Sequence, residues 1–380
     1  MSEPAKNGRG LFIAATGQNN GKTTTALAIF QHLVEEAKWA PLSFMKPVGQ
    51  RTIELQGVLA DEDVLLMRDA FELKRDAHFM SPVTVPAGFT RQYLDGKTTN
   101  RHIEEAILGG WNALTAEGAT VIVEGTGHAG VGSVFDMNNA MVAKLLNLPV
   151  VVVAEGGIGR PLDAIALNLA LFEKHGADVQ GVIFNKVQAD KRDQVLEYGA
   201  KFLKRFGVEV LGAVEFSEVL RKPSLMRLLL DLKAELLCGE NFLDRVPTSI
   251  IIGAAALDYV LERIGPKTLI ATPASRTDVI TAAIHNFTLT RLKRSQVRGE
   301  VLGLILTGTQ EPHRLCIEQA REVGLPILRT RTDVFETVEN IHGSLAKILP
   351  SDREKLDLVR AIYRDSLDWS RILNIIRRSR

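Results

Sequence analysis

The chain has 380 residues, 46% hydrophobic and 24% charged, a soluble globular composition that is too long for one ordinary core and fits two domains. Its 46 basic and 45 acidic side chains leave a formal charge of +1, so no global field draws it toward nucleic acid or an anionic membrane. Cys238 and Cys316 lack metal-ligand spacing and read as reduced core residues of a cytoplasmic protein, while the polar start MSEPAKNGRG and strand-length apolar runs predict neither secretory signal nor membrane span.

The first predicted strand, LFIAA (11–15), runs into ATGQNNGKTT (15–24) and a helix over 22–36. A strand, a glycine turn, Lys-Thr and a helix start form the context of a phosphate-binding loop. The usual spacing wants a glycine at position 16, but Thr16 stands there and Gly17 comes one residue later. Only three residues then separate Gly17 from Gly21, which makes a tighter loop. Gly17, Gln18, Asn19, Asn20, Gly21, Lys22, Thr23 and Thr24 are the candidate nucleotide contacts. Backbone N–H groups and the helix N-terminus would meet the phosphates, Lys22 would reach the terminal ones, and the Thr23 hydroxyl would face Mg²⁺. The structural alternative is a glycine turn with a solvated lysine.

Next comes SFMKPV (43–48), where Lys46 ends a strand before a direction-fixing proline. It is either a surface residue or a second positive charge aimed into a cleft. Asp61 and Asp63 in LADEDVLL open a helix, a position that suits N-capping as well as metal binding. After a helix over 100–116, TVIVEG (120–125) closes on Glu124. A carboxylate at a strand's carboxyl end reaches a metal or its water, or else acts as a buried cap. PVVVVA (149–154), GVIFNKV (181–187) and VEVLGAV (208–214) follow, with helices over 138–146, 161–175 and 190–206. Alternation of this kind predicts a mainly parallel sheet flanked by helices, in a domain over 8–240.

LKAELLCGENFLDRVP breaks that rhythm, and SIIIGA (249–254), TLIATP, LGLILTG and LPILRT begin it again. A smaller α/β domain is expected over 245–348. Residues 349–380 read as a charged helical tail that closes a domain or packs on a partner.

TGQNNGKTT, MKPVGQ, DED (61–63), MSPVTVPAGFTRQYLDG, VEGTGHAGVGS, GVIFNKV and RKPSLMRLL together resemble dethiobiotin-synthetase-like P-loop proteins. The resemblance is nearest to the N-terminal half of long bacterial phosphate acetyltransferases, where such a P-loop NTPase-type domain precedes a DRTGG domain. The short glycine spacing is what this branch shows. SIIIGA, TLIATPASRTDV and LILTGTQEP carry the second-domain likeness. The likeness implies ATP as cofactor, with Lys22 and Thr23 on phosphate and metal, and Mg²⁺ held by Thr23, Glu124 and an aspartate of the pair Asp61 and Asp63. It implies that Lys46 lies beside the γ-phosphate and that Asn185 recognises adenine, although an asparagine after a strand is also a common turn residue. A dimer is the implied assembly.

Two departures stand out. ASRTD replaces the Gly-Asp-Arg core usual in the second domain, keeping Arg276 and Asp278, and Glu215 stands where relatives often carry proline. The 380 residues hold no match to the acetyltransferase catalytic domain or to a glutaminase domain. Lys22 and Lys46 are therefore the candidate catalytic groups for ATP hydrolysis, or for phosphoryl transfer to a small carboxylate or carbamate. The alternative is a non-catalytic nucleotide-sensing regulatory protein. A ParA-like dimeric ATPase fits less well, because Gly17 occupies the place of the signature lysine.

Overall fold

A computed structural model describes residues 8–55, 58–292, 299–344 and 346–379. Residues 1–7 of the polar start read above and the final Arg380 of the tail lie outside the described residues. The chain divides into two compact units, Met1–Phe216 with Leu358–Arg380, and Ser217–Asp357.

In the first unit six strands form one sheet: β1 (Arg9–Ala15), β2 (Leu42–Met45), β3 (Thr120–Glu124), β4 (Val150–Glu155), β5 (Val179–Val187) and β6 (Glu209–Glu215). They lie in the order β6-β5-β4-β1-β3-β2, and all five pairings are parallel. These are the six strands expected from the sequence. Valines 150–153 are fully buried, as an unalternating apolar run requires when helices cover both faces of a parallel sheet. Because β1 sits between β4 and β3, chain order reverses there, and ligands of open α/β sheets bind at the carboxyl end of such a switch point. The β1–β3 register sets Ile13 beside Glu124. The loop after β1 and the end of β3 are thereby brought together.

The tail from Leu358 onward belongs to this unit, while its first residues, up to Asp357, fall in the second. Helix Trp369–Arg378 buries Ile372 and Ile376, with Asp368 as its N-cap. Just ahead of it, Leu367 forms an antiparallel bridge to Gly212 of the edge strand β6. A Cβ on Gly212, whose φ is +147°, would come 2.2 Å from Ser366 O, so only glycine allows this approach. The tail thus covers an edge that would otherwise present unpaired backbone groups.

The second unit holds β7 (Glu235–Cys238), β8 (Ser249–Ile252), β9 (Thr268–Pro273), β10 (Val301–Thr307) and β11 (Ile327–Arg329), in the order β7-β11-β10-β9-β8. β7 runs antiparallel to β11 and the rest are parallel. The two faces of β9 and β10 feed two cores: Ile270, Leu304 and Leu306 one, Leu269, Ala271, Leu302 and Ile305 the other, with the register irregularity at the start of β10 interrupting strict alternation. The division at Ser217 lies ahead of the boundary near 240 expected from the sequence. Leu225 and Leu228 enter the second core, and β7, in the stretch read as a break, is the edge strand of the second sheet. Cys238 and Cys316 are free and buried. Among the described residues no helix is long and apolar enough to cross a membrane.

Candidate functional site

The loop after β1 closes upon itself. Asn20 Nδ2 donates to Thr16 Oγ1 at 2.9 Å, and Lys22 Nζ donates to Gly17 O at 3.3 Å and to Gly127 O at 2.8 Å. Thr16, which breaks the usual spacing, thereby anchors the shorter loop. Gly21 has φ +96°, and a Cβ there would stand 1.9 Å from Asn185 Nδ2, so this position admits glycine alone. Asn185 Nδ2 donates to Asn20 O at 2.9 Å, and Lys186 Nζ reaches Asn19 O at 2.6 Å. Asn185, at the end of β5, therefore braces the loop in this structure. Gln18 and Asn19 sit in the same turn, Asn19 with φ +62°.

Helix Lys22–Glu35 starts at Gly21 with no side-chain cap and no acidic residue in its first turn. Its leading N–H groups are left for an anion, and the positive end of the helix dipole favours one. Lys22, itself 8% exposed, points into this space. Burial lowers its pKa to about 8, against the pull of Glu124 and with a push from Lys46.

Four more charged groups meet beside it. Lys46 Nζ contacts Asp63 Oδ2, lies 3.3 Å from Glu124 Oε1 and 3.4 Å from Asp61 Oδ1, and all four residues are buried. Burial pulls the Lys46 pKa down, but Asp63, Glu124 and Asp61 outweigh it and hold the pKa well above the ordinary lysine value. Glu124 moves the other way. Burial raises its carboxyl pKa to about 7 in spite of Lys46 and Lys22 and the Thr23 hydrogen bond, with Asp63 adding to the rise. Thr23 Oγ1 donates to Glu124 Oε1 at 3.0 Å, while Glu124 Oε2 is buried with no hydrogen-bond partner.

That orphaned oxygen next to a threonine hydroxyl suits Mg²⁺, a hard cation that takes oxygen ligands. Thr23 and Glu124 would hold it. Asp61 fits less well: it caps helix Glu62–Ala70 through Asp63 N at 3.0 Å and accepts from Gln50 N and Arg51 N at 3.1 and 3.2 Å. Asp63 is engaged by Lys46. Among the described residues, no three His, Cys, Asp or Glu side chains gather in a metal-holding group, because the carboxylates converge on an ammonium rather than on one another.

Sequence reasoning missed the residues that hold this site in shape. Asn139 clamps the loop after β3 by accepting from Thr126 N at 2.9 Å and donating to Thr126 O at 2.8 Å and His128 O at 2.7 Å; Asn168 accepts from Ala129 N at 2.8 Å. The clamp fixes Gly127, whose carbonyl receives Lys22. Buried asparagines in apolar helix patterns were the available signal. Lys186, with φ +58°, gave none.

An AAA domain family model matches residues 9–224, and a DRTGG domain model matches residues 227–344. A phosphate acetyltransferase from Nitratidesulfovibrio vulgaris is 26% identical over 376 residues, covering 95% of this chain and 51% of that protein. One from Synechocystis sp. is 24% identical over 386 residues, covering 97% and 52%. The chain spans about half the length of these relatives. The CBS and DRTGG domains of the regulatory region of Clostridium perfringens pyrophosphatase, complexed with the activator diadenosine tetraphosphate, are similar over 40% of this chain and 70% of that one, at 16% identity and a TM-score of 0.27.

Proposed function

The chain belongs to the AAA domain family and continues into a DRTGG domain, and from that premise we propose that its P-loop unit binds Mg-ATP and transfers the γ-phosphoryl group to water or to a small carboxylate or carbamate. One observation carries the reading: an uncapped helix N-terminus, Lys22, the Thr23 hydroxyl and a buried Glu124 with an unpartnered oxygen meet at the switch point of the sheet. Gly17 to Thr24 would cradle the phosphates through backbone N–H groups. Mg²⁺, when bound, would neutralise charge on the phosphates. Lys22 would exchange its carbonyl partners for phosphate oxygens, a small movement for a flexible side chain. Lys46 would stabilise charge that develops on the transferred group. Asn185 Oδ1 already accepts from Lys186 N at 2.9 Å, and its remaining lone pair would accept from the adenine amino group.

A second reading, nucleotide sensing without turnover, is supported by the three carboxylates around Lys46. An ammonium already neutralised has less charge to offer a transition state. Calorimetry with Mg-ATP and a coupled phosphate-release assay, each on wild type and Lys46→Gln, separate the two. Catalysis predicts release that falls on the order of a hundred- to a thousandfold in the variant while affinity changes little. Absence of release from the wild type, across water and a panel of carboxylate and diamine acceptors, selects the sensor.

A further inference from the structure

The last helix turn before the tail's bend brings a phenol to the phosphate loop. Tyr363 is 1% exposed, and its hydroxyl lies 3.0 Å from Thr24 Oγ1 and 3.2 Å from Thr25 Oγ1, with a further hydrogen bond to Asn185. Thr24 and Thr25 directly follow the Lys22-Thr23 pair, and Asn185 is the side chain that braces Asn20. A single hydroxyl from residue 363 therefore touches both the first turn of the loop helix and the brace of the loop.

The direction of each bond follows from counting protons. Thr24 Oγ1 donates its one hydrogen to Gly21 O at 2.8 Å, so toward Tyr363 it can only accept. The Tyr363 hydroxyl consequently donates to Thr24. Its oxygen is then left to accept from Thr25 and from Asn185 Nδ2. Burial raises the Tyr363 pKa against these three bonds, which keeps the phenol protonated and the chain of donors in place. Two other tail contacts hold the helices on Lys22–Glu35 without touching the loop: Trp369 stacks on His32 at 3.9 Å between ring centroids, and Arg360 pairs with Glu35 at 2.6 Å. Docking of the tail does not depend on the phenol oxygen.

We propose that Tyr363 is a positioning residue of the nucleotide site, acting through Thr24 to set the backbone of Gly21 and the first helical N–H groups at the spacing a triphosphate requires. The inference rests on the nucleotide reading of the loop given above. It makes residues 358–379 a working part of that site, beyond their cover of the sheet edge. Loss of the phenol oxygen leaves Thr24 Oγ1 and Asn185 Nδ2 each short of one buried partner, so that only their bonds to Gly21 O and Asn20 O still hold them to the loop.

The test is the Mg-ATP dissociation constant, measured by calorimetry well below the melting temperature, for wild type, Tyr363→Phe, Thr24→Val and the double variant. Tyr363→Phe keeps the ring, so the protein should still fold, with a melting temperature lowered only by the cost of the lost buried hydrogen bonds, while affinity of the folded protein weakens about tenfold. Thr24→Val removes the accepting oxygen from the other side and should weaken affinity by a similar factor. The losses in the double variant should fall well short of additive, since both substitutions break the Tyr363–Thr24 link. A merely structural role would lower the melting temperature and leave the dissociation constant of the folded protein in place. Wild-type affinity in Tyr363→Phe, or additive losses in the double variant, overturns the inference alone. Absence of Mg-ATP binding by the wild type at millimolar nucleotide overturns it together with the nucleotide reading.

Discussion

The two units end their parallel strands in opposite ways. In the first, the carboxyl ends of β1 and β3 bring together five buried charged side chains, Lys22, Lys46, Asp61, Asp63 and Glu124. In the second, β9, β10 and β11 end near Thr272, Thr307 and Thr330, which are buried but uncharged. Thr272 Oγ1 donates to Gly253 O at 2.8 Å, and Thr330 shares a hydrogen bond with Thr332 at 3.0 Å. The arginine kept from the usual second-domain motif is turned to structure. Arg276 holds Asp278 through two bonds of 2.8 Å and donates to Ala255 O at 2.9 Å and Gly253 O at 3.2 Å. Similar sheets thus carry different capacities. A buried charge is costly unless something will use or neutralise it, so the cluster of buried charge at one sheet, against a partly exposed ion pair at the other, tells the two apart more directly than topology does.

Substitutions can break that contrast, and the largest effect belongs to Lys46. Lys46→Ala strands three buried carboxylates and should destabilise the nucleotide-free protein by about 3–5 kcal/mol in urea titration. A loss below 1 kcal/mol, on the order of a surface pair, would mean that water reaches the cluster freely. Gly21→Ala comes next. Its Cβ would run into Asn185 at a backbone angle that side chains rarely adopt, for a cost of roughly 1–3 kcal/mol together with loss of any thermal shift by Mg-ATP. An intact shift would show that the loop shape is not needed for binding.

The pH dependence is smaller and has a definite sign. Between pH 4.5 and about 7 the folded state keeps a proton on Glu124 that the unfolded chain has released. With more protons bound in the native state, stability from this group falls as pH rises through that window. Glu124→Gln should flatten that part of the stability profile; an unchanged slope would assign it to other groups. The smallest effect is expected at Arg276. Its partly exposed pairing with Asp278 should contribute about 1 kcal/mol or less, and Arg276→Ala should leave the Mg-ATP thermal shift untouched. A markedly larger loss of stability would place the second sheet's end in the same class as the first.

Much of the first sheet was legible because its strands are short β-branched runs between helices of clear period, and the loop was legible because glycine, lysine and threonine have distinct physical jobs at a helix start. What stayed hidden depends on contacts distant in sequence. The edge strand Glu235–Cys238 pairs with residues some ninety positions away and has too few residues to show a period. Asp61 was open between cap and metal ligand, and its bonds to three backbone N–H groups favour the cap. The tail was expected to close a domain or meet a partner; it closes the first unit, through Gly212 and Gly10, whose N–H donates to Ser379 Oγ at 3.0 Å. Tyr363 carried no signal at all, since a tyrosine on the buried stripe of a helix reads as core.

The central claim is that the loop from Gly17 to Thr24 holds a nucleotide through its phosphates, and titration calorimetry of Mg-ATP into wild type and Lys22→Ala tests it most directly. Lys22 Nζ donates to two carbonyls, and among the described residues its removal leaves no ion-pair partner stranded, so the variant should fold. The account predicts saturable one-site binding by the wild type and loss of about a hundredfold or more in the variant, on the order of 2.7 kcal/mol, as removal of a buried charge-assisted contact implies. Equal affinity in the two proteins would contradict it.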